Sequence, residues 1–123
     1  GRVFNKYIEP FTKQVVFKKH LIENVFWDDS KNVFLNKGFD KSNEVAVYIP
    51  KNKNDMSDYA DPKNYNGNNW TLNKGDFIIK GDTVEDEVNG IKNLSSYEVF
   101  TITTVDDKDF GSDNMHHFEI RGS

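Results

Sequence analysis

The residues best suited to metal chemistry lie near the C-terminal end of the chain. An acidic turn there carries four carboxylates, Asp106, Asp107, Asp109 and Asp113. Carboxylate oxygens are the ligands that calcium prefers. Counted from Asp107, however, Gly111 falls where a ligand should lie, and Phe118 stands where the helical calcium-binding loop has its bidentate glutamate. A simple turn is the favoured interpretation, and whether the Asp106–Asp113 segment holds calcium stays open.

The adjacent pair His116 and His117 resembles a metal site only until strand geometry is considered. Successive side chains of a strand project to opposite faces, so the two rings cannot bind one ion together. The one other histidine is His20, and the chain has no cysteine. We therefore predict no metal site and no cofactor.

Catalytic patterns are missing from the sequence. It contains no serine in a Gly-flanked elbow and no Gly-rich phosphate loop. Carboxylate pairs carry no specific meaning in a chain with 20 acidic residues. We predict that the protein is not an enzyme and has no catalytic residues.

Bulk properties predict one domain over residues 1–123. The net charge is −4, and only Arg2 and Arg121 among the 16 basic residues are arginines, so sequence-specific nucleic-acid binding is not expected. No apolar run approaches the length of a membrane span, and the start lacks the apolar stretch of a signal peptide. We therefore expect a protein that is neither exported nor bound to a membrane.

Alternating apolar residues predict strands along most of the chain. Val45, Val47 and Ile49 share one face of a run that Pro50 ends. Further strands are predicted at Val3–Tyr7 and Lys13–Leu21, in a hairpin of Val25–Trp27 with Val33–Leu35, and at Trp70–Gly81, Tyr97–Val105 and Met115–Arg121. Within Trp70–Gly81, Asn73-Lys74-Gly75-Asp76 is a turn signal. In the Tyr97–Val105 strand, alternation places Thr104 on the face of Phe100 and Ile102, and Val105 on the other. The fold class is all-β: a small barrel or compact sandwich of about seven strands, with at most one short helix near Ile91 and Leu94.

The segment from Lys51 to Asn69 is polar and almost free of aliphatic residues. It cannot bury much area, which predicts a long exposed loop, with a short helical turn starting at Asp61-Pro62. Five aromatic residues in and around this region allow a sugar-stacking platform: Trp27, Tyr48, Tyr59, Tyr65 and Trp70. The favoured alternative is that both tryptophans lie in the core and the tyrosines anchor the loop.

The C-terminal third carries a resemblance to known proteins. The segments Trp70–Gly81, Tyr97–Asp107, Gly111-Ser112 and Met115–Ile120, with Asn5-Lys6-Tyr7, Trp27-Asp28-Asp29 and Val45–Pro50 before them, resemble an uncharacterised family of phage and prophage proteins from Gram-positive hosts. The resemblance spans nearly the whole chain and implies a gene from the minor capsid and head-completion block. More loosely, the order of loop, turn and strands is similar to the head-closure proteins, or stoppers, of long-tailed phages.

This resemblance implies a structural role in the virion, with assembly in the host bacterial cytoplasm. A head-to-tail connector would form a ring with itself, although the free chain could be a monomer, and would bind portal or adaptor and tail proteins. The interaction loop would present Lys51, Lys53, Asp55, Asp58, Tyr59, Tyr65 and Asn68, and whether it contacts DNA stays open. The alternatives are a glycan- or protein-binding β module on the capsid or tail and, ranked last, a small enzyme or inhibitor.

Overall fold

The computed structural model describes residues 1–28, 44–112 and 115–123. They contain eight strands: β1 (Arg2–Ile8), β2 (Val15–Leu21), β3 (Phe26–Asp28), β4 (Val45–Pro50), β5 (Phe77–Ile79), β6 (Glu87–Val88), β7 (Val99–Lys108) and β8 (His117–Gly122). In these ranges the helical elements are short 3-10 turns at Lys51–Lys53, Met56–Asp58, Pro62–Asn64 and Ile91–Leu94. The predicted all-β class is confirmed. The Val33–Leu35 arm of the predicted hairpin lies outside the described residues.

The strands pair in the order β3-β4-β8-β7-β5-β1-β2-β6, with antiparallel neighbours throughout. Val3 of β1 and Val47 of β4 belong to one buried cluster, although three strands separate β1 from β4 in this order. A flat sheet would keep these side chains far apart, so the sheet curves around its inner face.

The inner core is built from alternating residues of the curved strands. It contains the predicted set Val45, Val47 and Ile49, together with Trp70, whose side chain is 0% exposed. Because strand side chains alternate, one face of β4 and of β8 faces inward. The alternation prediction for β4 is confirmed, and so is the core position of Trp70.

A second cluster covers the outer face of β1, β2 and β5. The rings of Phe17 and Phe77 stack there with centroids 4.3 Å apart, next to the buried Phe4. Leu94, from the 3-10 turn at Ile91–Leu94, is fully buried in the same cluster. The sheet is therefore apolar on both sides in this region.

Strand β7 departs from simple alternation. Its register with β8 shifts between Ile102 and Thr104, where a β-bulge adds one residue. Val105 consequently packs against the inner core together with Phe100 and Ile102, and Thr104 is exposed. The prediction that Thr104 lies on the face of Ile102, and Val105 on the opposite face, is wrong because the bulge reverses the alternation.

The turn signal at Asn73-Lys74-Gly75-Asp76 is confirmed, and the strand predicted within Trp70–Gly81 is shorter than expected. Only Phe77–Ile79 forms a strand, and Trp70 makes an isolated parallel bridge with Tyr59. A turn separates the two parts: the Asp76 N–H donates to the Asn73 carbonyl at 3.0 Å, and Gly75 has a φ of +96°. That left-handed conformation suits glycine and breaks the strand.

Candidate interaction surface

The predicted interaction loop, residues 51–69, lies on the surface but is tied to the sheet at several points. Three 3-10 turns give it a defined path, and the one at Pro62–Asn64 begins where the sequence predicted a helical turn. The seven predicted residues do not have the same environment. Lys53, Asp55 and Asn68 are exposed, and Lys51, Asp58, Tyr59 and Tyr65 are partly buried.

Lys51 ties the start of the loop to the acidic turn after β7. Its Nζ lies 2.6 Å from Oδ1 of both Asp107 and Asp109, and 4.6 Å from the centre of the Phe118 ring. Burial alone would lower the pKa of Lys51, but the hydrogen bonds to the two carboxylates outweigh it and the pKa is raised. The hydrogen bond from Lys51 in turn lowers the pKa of Asp109. These groups thus form an internal ion-pair cluster at the turn end of the β7–β8 hairpin.

The predicted absence of a metal site can be compared with the structure only for the described residues. Within the described ranges, no three His, Asp or Glu side chains converge on a common point. Asp113 lies outside those ranges, so the calcium question for the whole turn stays a prediction. His116 Nδ1 approaches Asp109 Oδ1 at 3.6 Å, while His117 Nδ1 lies 3.0 Å from the Met115 carbonyl.

Asp55 and Asp58 order the loop through its backbone. Asp55 caps the 3-10 turn at Met56–Asp58 by accepting from the Ser57 N–H at 3.1 Å. The Asp55 carbonyl accepts from Trp70 Nε1 at 3.1 Å, and the Asp58 carbonyl accepts from the Trp70 N–H at 3.0 Å. The loop therefore closes over the buried indole.

Tyr59 anchors the middle of the loop in the inner core. Its ring meets Trp70 edge-on at a centroid distance of 4.9 Å and lies 4.9 Å from the Phe118 ring. Burial raises the pKa of the Tyr59 hydroxyl. Such edge-to-face contacts add to the apolar burial of each ring, so Tyr59 acts as a structural anchor of the loop.

Tyr65 anchors the end of the loop on the β1–β2 hairpin. Its ring packs edge-on against Tyr7 with centroids 6.2 Å apart. A Cβ placed on Gly67 would come within 2.9 Å of the same Tyr7 ring. Burial raises the pKa of Tyr65 to about 12, with Asp76 as the next contributor. Beside it, the Asn68 N–H donates to Asn66 Oδ1 at 2.9 Å.

A buried polar network underlies this anchor and was not anticipated from the sequence. Asn5 Nδ2 donates to Asp76 Oδ2 at 2.8 Å and to the Thr71 carbonyl at 2.7 Å, and Asn5 Oδ1 accepts from the Thr71 N–H. The Lys6 N–H donates to Asp76 Oδ1 at 3.1 Å. Burial raises the pKa of Asp76 to about 6 in spite of these hydrogen bonds. The only sequence signal was a polar Asn5 directly after the apolar Val3 and Phe4 in a predicted strand.

The aromatic platform considered for sugars is not assembled as a surface. Trp70 lies beneath the loop, stacked on its other side by His20 with centroids 4.8 Å apart and nearly parallel planes. Trp27 is half-buried against Phe100, and Tyr48 lies between Phe26 and His117 on the outside of the sheet. The five rings therefore face different surroundings.

Next to the loop, an open cleft of about 500 Å³ follows β7. Its lining includes Tyr59, Asp61 and Lys74 together with Thr104 and Val105. Phe118 and Leu72, both almost fully buried, also contribute. The cleft thus combines an apolar floor with a charged rim, which is a surface suited to binding.

Two hairpin tips expose large apolar side chains. At the β1–β2 tip Phe11 is 97% exposed, with Ile8 and Val15 beside it at the ends of the strands. At the β7–β8 tip Phe110 is 66% exposed and Met115 is also exposed. Exposed apolar side chains grouped in this way are candidates for contact with another protein.

No helix in the described part of the chain has the length and apolar character needed to cross a bilayer. In comparisons with known proteins, the model of a family described as "Family of unknown function (DUF6751)" matches residues 2–123. No curated protein and no solved structure matches the chain.

Proposed function

Because this chain belongs over residues 2–123 to DUF6751, a family of unknown function, we propose its role from its own sequence and surface. The protein is a non-enzymatic structural component of a phage particle. It acts as a head-to-tail connector of the head-closure type, which assembles as a ring and contacts portal or adaptor and tail proteins through its loop.

The observation that carries this proposal is the way the 51–69 loop is held. Lys51, Tyr59 and Tyr65 fix its start, middle and end to β7, the inner core and the β1–β2 hairpin. A surface ordered before binding loses less conformational entropy when a partner binds. Such a loop presents its exposed residues, among them Lys53, Asp55 and Asn68, in a fixed arrangement to a neighbouring protein.

The exposed hairpin tips and the net charge agree with this role. Phe11 and Phe110 are costly to leave in water unless a partner covers them, and aromatic side chains are common anchors of protein interfaces. The net charge of −4 disfavours attraction to DNA phosphates. A connector on the path of DNA needs contacts to proteins without holding the nucleic acid.

A particle-completion assay with loop variants tests the proposal. In a phage that lacks this gene, we expect the wild-type chain to restore infectious particles and Lys53→Glu to restore about tenfold fewer, because reversing a contact charge repels the partner. The matched control is Lys92→Glu, an exposed lysine on the separate 3-10 turn at Ile91–Leu94. Both variants should unfold within about 0.5 kcal/mol of the wild type.

Full particle yield without any copy of the gene would overturn the structural role. Equal yields with Lys53→Glu and Lys92→Glu would show that this loop position does not meet a partner.

A further inference from the structure

Strand β7 has an open edge beside the cleft. β5 pairs with β7 only from Val99 to Thr101. The last hydrogen bonds on this side of β7 run from the Gly75 N–H to the Ile102 carbonyl and from the Ile102 N–H to the Asp76 carbonyl. β7 continues to Lys108, and beyond Ile102 its partner among the described residues is β8 alone. Alternate main-chain N–H and C=O groups of this stretch point away from β8. They leave an edge that another strand can pair with.

The β1–β2 hairpin projects on the other side of β5. β1 pairs with β5 only from Arg2 to Phe4, and β2 pairs with β6 only at Phe17 and Lys18. Among the described residues, the two strands of the hairpin pair beyond these points only with each other, although Lys6 and Tyr7 still contact Asp76 and Tyr65. The tip is closed by hydrogen bonds from the Glu9 N–H to the Gln14 carbonyl and from the Lys13 N–H to the Glu9 carbonyl. The hairpin therefore extends past its neighbours with Phe11 at its end.

The hairpin and the cleft lie at the same end of the sheet, on either side of β5. We propose that the cleft along β7 receives the β1–β2 hairpin tip of a second copy of this chain, with Phe11 on the apolar floor. Because the two surfaces differ, each copy can bind one neighbour through its cleft and another through its hairpin tip. Such a head-to-tail contact repeats and closes into a ring when the rotation allows.

Apolar character and charge match between the two surfaces. Ile8, Phe11 and Val15 are exposed on the hairpin, and the cleft is large enough to take an aromatic side chain next to Leu72 and Val105. The tip carries Lys13 and Glu9, and the rim of the cleft carries Asp61 and Lys74. Each charge on one surface thus has an opposite charge available on the other.

The proposed contact between hairpin tip and cleft rests on the proposed function as a ring-forming connector. Cross-linking tests this contact separately. The chain has no cysteine, so Thr12→Cys on the hairpin and Thr104→Cys in the cleft each introduce a single reactive thiol. We expect a mixture of these two variants, treated with a short bismaleimide at high protein concentration, to give a heterodimer that joins the two. Adding Phe11→Ser to the Thr12→Cys chain should reduce this product about tenfold.

The control pairs Thr104→Cys with Val84→Cys, because Val84 is also apolar and exposed but lies beside Lys19, at the opposite end of the hairpin from its tip. A Thr12–Thr104 product no more abundant than this control product would overturn the contact. A ring seen in particles without that product would leave the proposed function standing and refute this contact alone. The Thr12–Thr104 product from a chain that is absent from particles would support the contact and refute the connector role.

Discussion

At the scale of single residues, two ionisable side chains are buried or partly buried although no pattern in the sequence predicts it. Asp76 is 2% exposed and is held by Asn5 and the Lys6 N–H. His20 lies flat against Trp70. Asn5 and Lys6 are at least 70 residues from Asp76, and Trp70 is 50 residues from His20, so spacing along the chain could not reveal these contacts.

The carboxyl of Asp76 should make folding less favourable as the pH rises. Its pKa is raised to about 6 by burial, whereas the unfolded chain has the ordinary value near 3.8. The native state therefore holds the extra proton between these values, and stability is lost from about pH 4 to pH 6, by up to about 3 kcal/mol. Urea unfolding of the wild type and of Asp76→Asn at several pH values measures this loss.

We expect the difference in unfolding free energy between wild type and Asp76→Asn to change across that interval, since only the wild type titrates there through residue 76. The Asn variant also places an amide against Asn5, which costs stability equally at every pH. A difference that stays constant from pH 4 to pH 7 would contradict the raised pKa.

His20 should respond in the opposite direction. Burial lowers the pKa of its imidazole, and the nearby carboxylates of Asp58 and Asp55 only partly oppose this. The native state prefers the neutral ring, so its contribution to stability is present above the unfolded pKa of about 6.5 and is lost as the pH falls below it. We expect an NMR titration of the His20 ring to give a midpoint below 6.5, and a midpoint above that value would refute the buried stack.

At the scale of elements, the alternation of apolar residues predicted the inward face of a strand correctly where the strand is regular, and predicted it wrongly where the backbone is irregular. β4 matches its prediction, because Val45, Val47 and Ile49 all face the inner core. β7 does not, because a bulge next to Ile102 cannot be seen in the order of apolar residues. The loop was correctly placed at the surface, but its anchors at Tyr7 and Trp70 depend on tertiary contacts.

The anchor between the loop and the β1–β2 hairpin can be tested with two glycines that share a left-handed backbone. Gly67 has a φ of +91° and faces the Tyr7 ring, whereas Gly75 has a φ of +96° with open space around it. Gly75→Ala should cost about 1 kcal/mol through backbone strain alone. Gly67→Ala should cost at least about 1 kcal/mol more, because the added methyl group must displace the ring.

Chemical denaturation of the two glycine variants measures these costs under the same conditions. Equal costs would mean that Tyr7 moves freely and that the end of the loop is not anchored to the hairpin.

At the scale of the whole molecule, the all-β class followed from composition and period, since frequent aromatic and β-branched residues and short alternating runs favour strands. The candidate interaction surface could be predicted from the sequence only in part. The polar segment 51–69 marked the loop, but the cleft beside it depends on where β5 leaves β7, at the Asn73–Asp76 turn. Such a divergence of strands depends on pairings across the sheet, which a single sequence does not specify.

We propose that this chain acts through its shape and its contacts with other subunits. Electron microscopy of phage particles that contain a tagged copy of the chain tests this most directly. We expect a ring of density at the neck, between the portal and the tail, that accommodates this β domain. Density at the tail tip, or complete particles that lack the tagged chain, would contradict the claim.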